Sequence, residues 1–219
     1  MSIKDNLLKI KSSLPDNVTL VAVSKTKPIS DLMEAYHAGQ RIFGENKIQE
    51  MTEKWEQMPK NIQWHMIGHI QTNKVKFMAP YVSLIHGVDS LKLLQEINKQ
   101  ALKNNRIIDC LLQIHIAEEE TKFGLNELEI NEIFNSESFN NLNNIKIVGL
   151  MGMATFTNNQ NQIKKEFEHL KVVFDTKKSL SIVNCQLSIL SMGMSGDYHL
   201  AIECGSTMVR IGSSIFGGR

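Results

Sequence analysis

The chain has 219 residues, with 24 Lys plus Arg against 23 Asp plus Glu and a formal net charge of +1. That near balance, with basic residues spread along the chain, lacks the broad positive field of a general nucleic-acid binder. At 42% hydrophobic and 6% aromatic, with 11 Met, one large core filled mainly by aliphatic side chains is expected, at a length near the short end for an α/β barrel.

The first residues, MSIKDNLLKIKSSL, are charged and amphipathic, without the apolar run of a signal peptide. They are expected to form an extra helix covering a barrel floor. Eight apolar, β-rich runs follow: 20–24 (LVAVS), 41–44 (RIFG), 62–68 (IQWHMIG), 81–88 (YVSLIHGV), 108–116 (IDCLLQIHI), 145–154 (IKIVGLMGMA), 186–192 (QLSILSM) and 208–216 (MVRIGSSIF). Several show little alternation, as parallel strands buried on both faces do. Helical patterns separate most of them. Residues 30–38 end at Gly39, 48–58 end before Pro59, and 73–78 form a short helix. Residues 90–102 open on the capping residue Ser90 and carry Leu91, Leu94 and Ile97 at helical spacing. Residues 127–134, 162–178 and 197–204 complete the set. Strand–helix alternation with eight strands predicts a single (β/α)8 TIM barrel over 1–219, with an open doubly wound sheet as the runner-up.

Cys110, Cys185 and Cys204 are odd in number and lack CxxC spacing, which favours free thiols in a reducing compartment. No stretch approaches the ~20 apolar residues of a membrane span. The expectation is a cytoplasmic protein with no membrane or nucleic-acid partner. His65 and His69 are four apart, but in a strand followed by a loop, so helical metal-ligand spacing does not apply and no metal is expected.

Lys25 directly follows LVAVS, where a barrel strand reaches the C-terminal mouth at which such folds assemble their sites. A lysine there can form an imine with an aldehyde if desolvation or nearby positive charge, from Lys27 or Arg210, lowers its pKa. Taken alone, a solvated lysine is the commoner outcome. Ser195 and Gly196 open an apparent helix, and Gly212 and Ser213 follow the last strand. Both segments offer backbone amides at the two strands where barrels often hold phosphate. Arg210 lies among apolar neighbours in the last strand. Buried there, it faces a cofactor ring nitrogen or phosphate, or forms an internal salt bridge to Glu45 or Glu203; both readings stand. Asn46, Asn73, Lys74 and Lys122 read as loop caps or solvated charges, His65 and His115 as core histidines, and His199 as structural or exposed. A lysine-dependent aldolase acting on a sugar phosphate is compatible with the same residues.

The stretches AVSKTKP (22–28), FGENKIQE (43–50), HMIGHIQTNK (65–74), TKFG (121–124), GLMGMA (149–154) and MGMSGDYHLAIECGSTMVRIGSSIFG (192–217) together resemble the pyridoxal 5′-phosphate (PLP) homeostasis protein family, also called the YggS or PROSC family. The family is similar in fold to the barrel of alanine racemase, the fold-type III PLP architecture. The resemblance implies that Lys25 holds PLP as a Schiff base and that Arg210 faces the pyridine nitrogen. It also implies that Ser195, Gly212 and Ser213 receive the phosphate with Ser206 and Thr207 close by, and that Asn46 lies near the ring. Lys27 or Lys122 is a possible second landing point for the aldehyde. His115 stands where the family often has Asn, and Ile70 where Leu is common. The implied function is a non-enzymatic carrier and buffer of PLP in vitamin B6 and amino-acid homeostasis, passing it to apo PLP-dependent enzymes. The alternative is a fold-type III amino-acid racemase or related PLP enzyme. The chain ends at Arg219, just after the barrel, without the β-domain that gives alanine racemase its second base and main dimer contact, so a monomer is expected.

Overall fold

The structure is a computed structural model and describes residues 2–119, 123–180 and 182–218. In chain order the elements are α1 (Ile3–Ser13), β1 (Thr19–Val23), α2 (Ile29–His37), β2 (Ile42–Glu45), α3 (Ile48–Gln57), β3 (Gln63–Met66), a 3-10 turn (Thr72–Lys74), α4 (Val75–Met78), β4 (Leu84–Val88), α5 (Leu91–Lys103), β5 (Ile108–Ile114), α6 (Glu127–Asn135), α7 (Glu137–Asn140), β6 (Ile145–Gly152), α8 (Gln160–Lys178), β7 (Cys185–Ser191), α9 (Tyr198–Glu203), β8 (Met208–Ile211) and α10 (Ser213–Phe216). The eight strands pair in parallel, each with the next in sequence, and β8 pairs with β1 to close the barrel. The eight strand expectations are met and the open sheet is excluded.

Local chemistry starts the helices where the spacing predicts. The Ser90 hydroxyl accepts the Leu93 amide at the head of α5, which buries Leu93, Leu94, Ile97 and Ala101. Ser2 with Asp5, and Asn126 with Glu129, form reciprocal capping boxes on α1 and α6. Ser136 caps α7, a turn absent from the sequence reading, which exists to seat the fully buried Phe139.

Two positions differ from expectation. The last strand stops at Ile211, because Gly212 turns the backbone and residues 213–216 wind into α10, burying Ile215 and Phe216 on one helical face. Helix α1 does not cover the floor. It packs between α2 and α10 on the barrel's flank. The Asn6 side chain donates to Ile215 O at 3.1 Å, and the Lys4 amide donates to Glu34 Oε1 at 3.0 Å. At its other end Lys11 Nζ donates to Gly39 O at 3.3 Å. Because α10 is a single turn, α1 supplies the apolar face that a full helix after β8 would supply, through buried Leu7 and Ile10.

The core has two compartments. Between barrel and helices lies the larger one, which includes Phe43, Trp64, Leu94, Phe167 and Val209. The barrel lumen holds a smaller cluster of Val21, Leu84, Leu111, Val148, Met151 and Met208. Because side chains alternate along a strand, Met208 and Arg210 face the lumen while Val209 and Ile211 face the helices. The same parity carries Val21, Val23 and then Lys25 along the inward side.

If α1 is an integral part of the wall, Leu7→Ala leaves a cavity against α2 and α10. The expected loss is about 2–5 kcal/mol in urea unfolding. A loss under about 0.5 kcal/mol, the size of an ordinary surface substitution, would show that α1 is not docked.

Candidate functional site

The site assembles at the C-terminal mouth because β1, β2 and β8 end together. Ala22 pairs with Phe43 and Val23 with Gly44, and the Ser24 amide donates to Gly44 O at 3.0 Å. Lys25 and Asn46 therefore leave their strands at the same level. On the other side Ala22 pairs with Ile211. A Cβ built on Gly212 would lie only 3.1 Å from Val23 O, so glycine lets the end of β8 press against the start of the Lys25 turn. Likewise a Cβ on Gly68 would overlap Asn46 O at 2.4 Å. Lys25 is partly buried in the turn after β1.

Beside it, the Ser195 hydroxyl accepts the Gly212 amide at 3.2 Å and the Ser214 amide at 3.5 Å. Two amides and a hydroxyl thus converge on one point at the end of β8, a donor set suited to an anionic oxygen. Ser213, between them, is exposed. The amides come from the turn into α10. Helix α9 begins only at Tyr198, because Asp197 folds back to take the Met194 amide at 2.6 Å. Ser195 and Gly196 therefore precede the helix that the sequence pattern has them open.

One layer deeper, the lumen is polar. Arg210 donates through Nη1 to Ser191 Oγ at 2.6 Å and through Nη2 to Gly152 O at 3.0 Å. Ser191 Oγ is 3.1 Å from His86 Nδ1, and His86 Nε2 is 3.1 Å from His65 Nδ1. All four residues are buried. Burial pushes His65 down to about 3. It also pushes His86 well below its ordinary value, with His65 and Arg210 adding repulsion. Both imidazoles are neutral at pH 7 and each presents one donor and one acceptor. Burial lowers Arg210 to about 10, partly offset by Asp197, and the guanidinium stays charged. Its partners are Ser191 and Gly152. The sequence-proposed salt bridge to Glu45 or Glu203 does not form, because Glu45 lies on the outer side of the wall, bound to Lys54.

A second polar cluster backs the Lys25 turn from outside. Lys54 Nζ, on α3, donates to Glu45 Oε1 at 2.8 Å, Glu50 Oε1 at 2.7 Å and Ser24 O at 2.8 Å. Sequence reading missed it, although Lys54 falls on the helix face that carries Ile48 and Met51. Burial raises the Glu45 carboxyl against the pull of Lys54.

The remaining sequence candidates disperse. Ser206 and Thr207 precede β8, at the opposite end from Lys25. The Ser206 hydroxyl is surrounded by the carbonyls of Leu190, Met192 and Met208, and Thr207 Oγ1 accepts the Leu190 amide. They stitch β7 to β8 and do not reach the Ser195 point. Lys27 donates to Gly218 O at 2.9 Å. Lys122 lies outside the described residues. His115 contacts Glu119 O at 3.1 Å, and exposed His69 pairs with Asp89 at 3.2 Å, far in role from His65.

The alanine racemase N-terminal domain model matches residues 1–219. A pyridoxal phosphate homeostasis protein of Aquifex aeolicus (strain VF5) is 39% identical over 201 residues, covering 91% of this chain and 86% of the relative. Its counterpart in Escherichia coli (strain K12) is 35% identical over 209 residues, covering 94% and 87%. The chain belongs to the pyridoxal phosphate homeostasis protein family. Among solved structures, PipY of Synechococcus elongatus PCC7942, with PLP bound, matches at a TM-score of 0.90 and 30% identity, covering 99% of this chain and 100% of that one. Alanine racemase of Clostridium difficile 630 matches at a TM-score of 0.80 and 17% identity, covering 100% of this chain and 56% of that one. This second likeness is one of fold.

The histidine pair carries a pH signature. Both folded pKa values lie below the ordinary value near 6.5, so the unfolded chain binds more protons at acid pH. The pair's contribution to stability is whole above pH 6.5 and is lost progressively as pH falls through the lowered folded values. Unfolding measured from pH 7 to 4 should show a shallower decline for His65→Gln/His86→Gln than for the native chain. Equal slopes would mean that the pair is not held neutral.

Proposed function

We propose that the chain is a single PLP-binding barrel domain that carries and buffers the cofactor, held as a Schiff base on Lys25. The observation that carries this reading is the convergence at one mouth of Lys25, Asn46 and the Ser195–Gly212–Ser214 donor point, above the buried Arg210. The donor set fits a phosphorylated pyridine aldehyde: a primary amine for the aldehyde, amides and a hydroxyl for phosphate, and a cation for the ring nitrogen. The PLP-bound relative of the same family supports the choice of ligand.

PLP supplies an aldehyde that condenses with a primary amine, releasing water. The chain's residues do the rest. Ser195, Gly212 and the turn through Ser213 and Ser214 would bind the phosphate, and Asn46 would lie near the ring. Arg210, fixed by Ser191 and Gly152 O, would offer the ring nitrogen a permanent cation. A cation there disfavours protonation of that nitrogen by like-charge repulsion and so weakens the electron withdrawal that PLP enzymes commonly exploit. Holding the cofactor follows more readily than turnover. The same reading assigns release to apo PLP-dependent enzymes, a cytoplasmic setting and a monomer. Among the described residues no helix is long and apolar enough to cross a membrane.

Freshly purified protein incubated with PLP should absorb in the visible, and borohydride should fix the adduct on the Lys25 peptide. Lys25→Ala should lose it; an adduct of unchanged stoichiometry on another lysine would refute the assignment. Amino acids offered in D₂O should exchange their α-protons no faster with the loaded protein than with free PLP. Robust exchange that depends on Lys25 would establish an enzyme instead of a carrier.

A further inference from the structure

We propose that Glu45, Lys54 and Glu50 position Lys25, by clamping the turn that bears it from the outer side of the barrel wall. The inference rests on the reading of Lys25 as the covalent anchor.

The cluster binds the chain on both sides of that lysine. The Ser24 hydroxyl donates to Glu45 Oε1 at 2.6 Å, and Ser24 O accepts from Lys54 Nζ at 2.8 Å. After Lys25, the Thr26 amide donates to Glu50 Oε1 at 2.6 Å. Lys54 ties the two carboxylates together at 2.8 and 2.7 Å. Residues 24 and 26 are thus held by one ammonium and the two acids it joins.

The backbone needs that hold. Thr26 has φ of 63°, the left-handed region that a β-branched residue rarely adopts. The Glu50 carboxylate on its amide keeps Thr26 in that state. The cluster is also a costly way to fill the space between α3 and β1. Glu45 is fully buried and Lys54 nearly so, and Glu45 Oε2 has no hydrogen-bond partner. Apolar residues of similar volume commonly replace buried ion pairs without loss of stability. What apolar residues cannot do is bind a hydroxyl, a carbonyl and an amide at fixed points around one side chain. Geometry, more than stability, is what the cluster supplies.

The test separates imine formation from the remaining contacts. Apo protein of full length, native and variant, is titrated with PLP and with pyridoxine 5′-phosphate, whose alcohol replaces the aldehyde. The second ligand reports only phosphate and ring binding. Lys54→Met and Glu50→Ala should weaken borohydride-trappable binding of PLP about tenfold or more, the change expected on losing a hydrogen bond to a charged group. Pyridoxine 5′-phosphate affinity should change less than about twofold, since it makes no bond to Lys25. Lys54→Arg should retain part of the trapping. Thr26→Gly added to Glu50→Ala should restore part of the loss, because glycine takes a positive φ without the tie. Equal losses for both ligands would reduce the cluster to packing and overturn the proposal, as would no loss for either. If Lys54→Met does not fold, Glu50→Ala, at a partly exposed acid, decides the matter. A native chain that traps no PLP on Lys25 sinks the covalent reading itself; native trapping with unaltered variants sinks the clamp alone.

Discussion

Strands β1 and β8 stand at opposite ends of the chain and pair in parallel, Thr19 opposite Met208 and Ala22 opposite Ile211. This pairing closes the barrel, and the site depends on it. It brings Gly212 against Val23, so that the amides of the turn after β8 arrive beside the turn after β1. The contact joins strands from near the two ends of the chain, so its loop-closure cost is among the largest in the fold. Helix α1 then seals the outside of the seam, holding Ile215 through Asn6 and burying Leu7 and Ile10. The first and last segments of the sequence are in this sense one structural unit.

The lumen holds two kinds of contact. Val21, Leu84, Leu111, Val148 and Met208 make an apolar cluster. Beside it stands the chain of contacts from Arg210 through Ser191 and His86 to His65. A buried guanidinium is tolerable only with acceptors at hand, and Ser191 Oγ and Gly152 O provide them. Neutral imidazoles suit this setting because each offers an acceptor without adding a second charge beside Arg210. The other polar cluster, Glu45–Lys54–Glu50, lies outside the wall at the level of Lys25. Lys25 thus sits between two buried polar assemblies, one facing the lumen and one behind the wall.

Much of this was legible. Strand order followed from eight apolar runs separated by helical patterns, because parallel strands buried on both faces leave that trace. Lys25 was visible as the polar residue ending LVAVS, and Gly212 as a glycine at the end of the last strand. What escaped depended on three-dimensional register. Whether MVRIGSSIF continued as a strand or turned at Gly212 is not decided by apolar content, since Ile215 and Phe216 fit both periods. The family resemblance implies that Ser206 and Thr207 lie close to the phosphate ligands, yet they enter β8 at the end remote from the mouth. Four strand residues at about 3.3 Å each separate them from Gly212. The lysine at position 54 was hidden by its type, because a lysine on a helix reads as solvated until the helix is docked.

The two polar assemblies bear differently on what the mouth can do. The outer one acts on Lys25 through the backbone, setting where the amine stands. The inner one acts on Arg210, setting where a charge stands. Arginine cannot relay a proton at neutral pH, and the imidazoles behind it are neutral and joined end to end, away from solvent. A ring nitrogen held against Arg210, as proposed, would meet a cation there and no acid. On that reading a fixed cation with neutral support behind it would favour a bound ligand held in one protonation state.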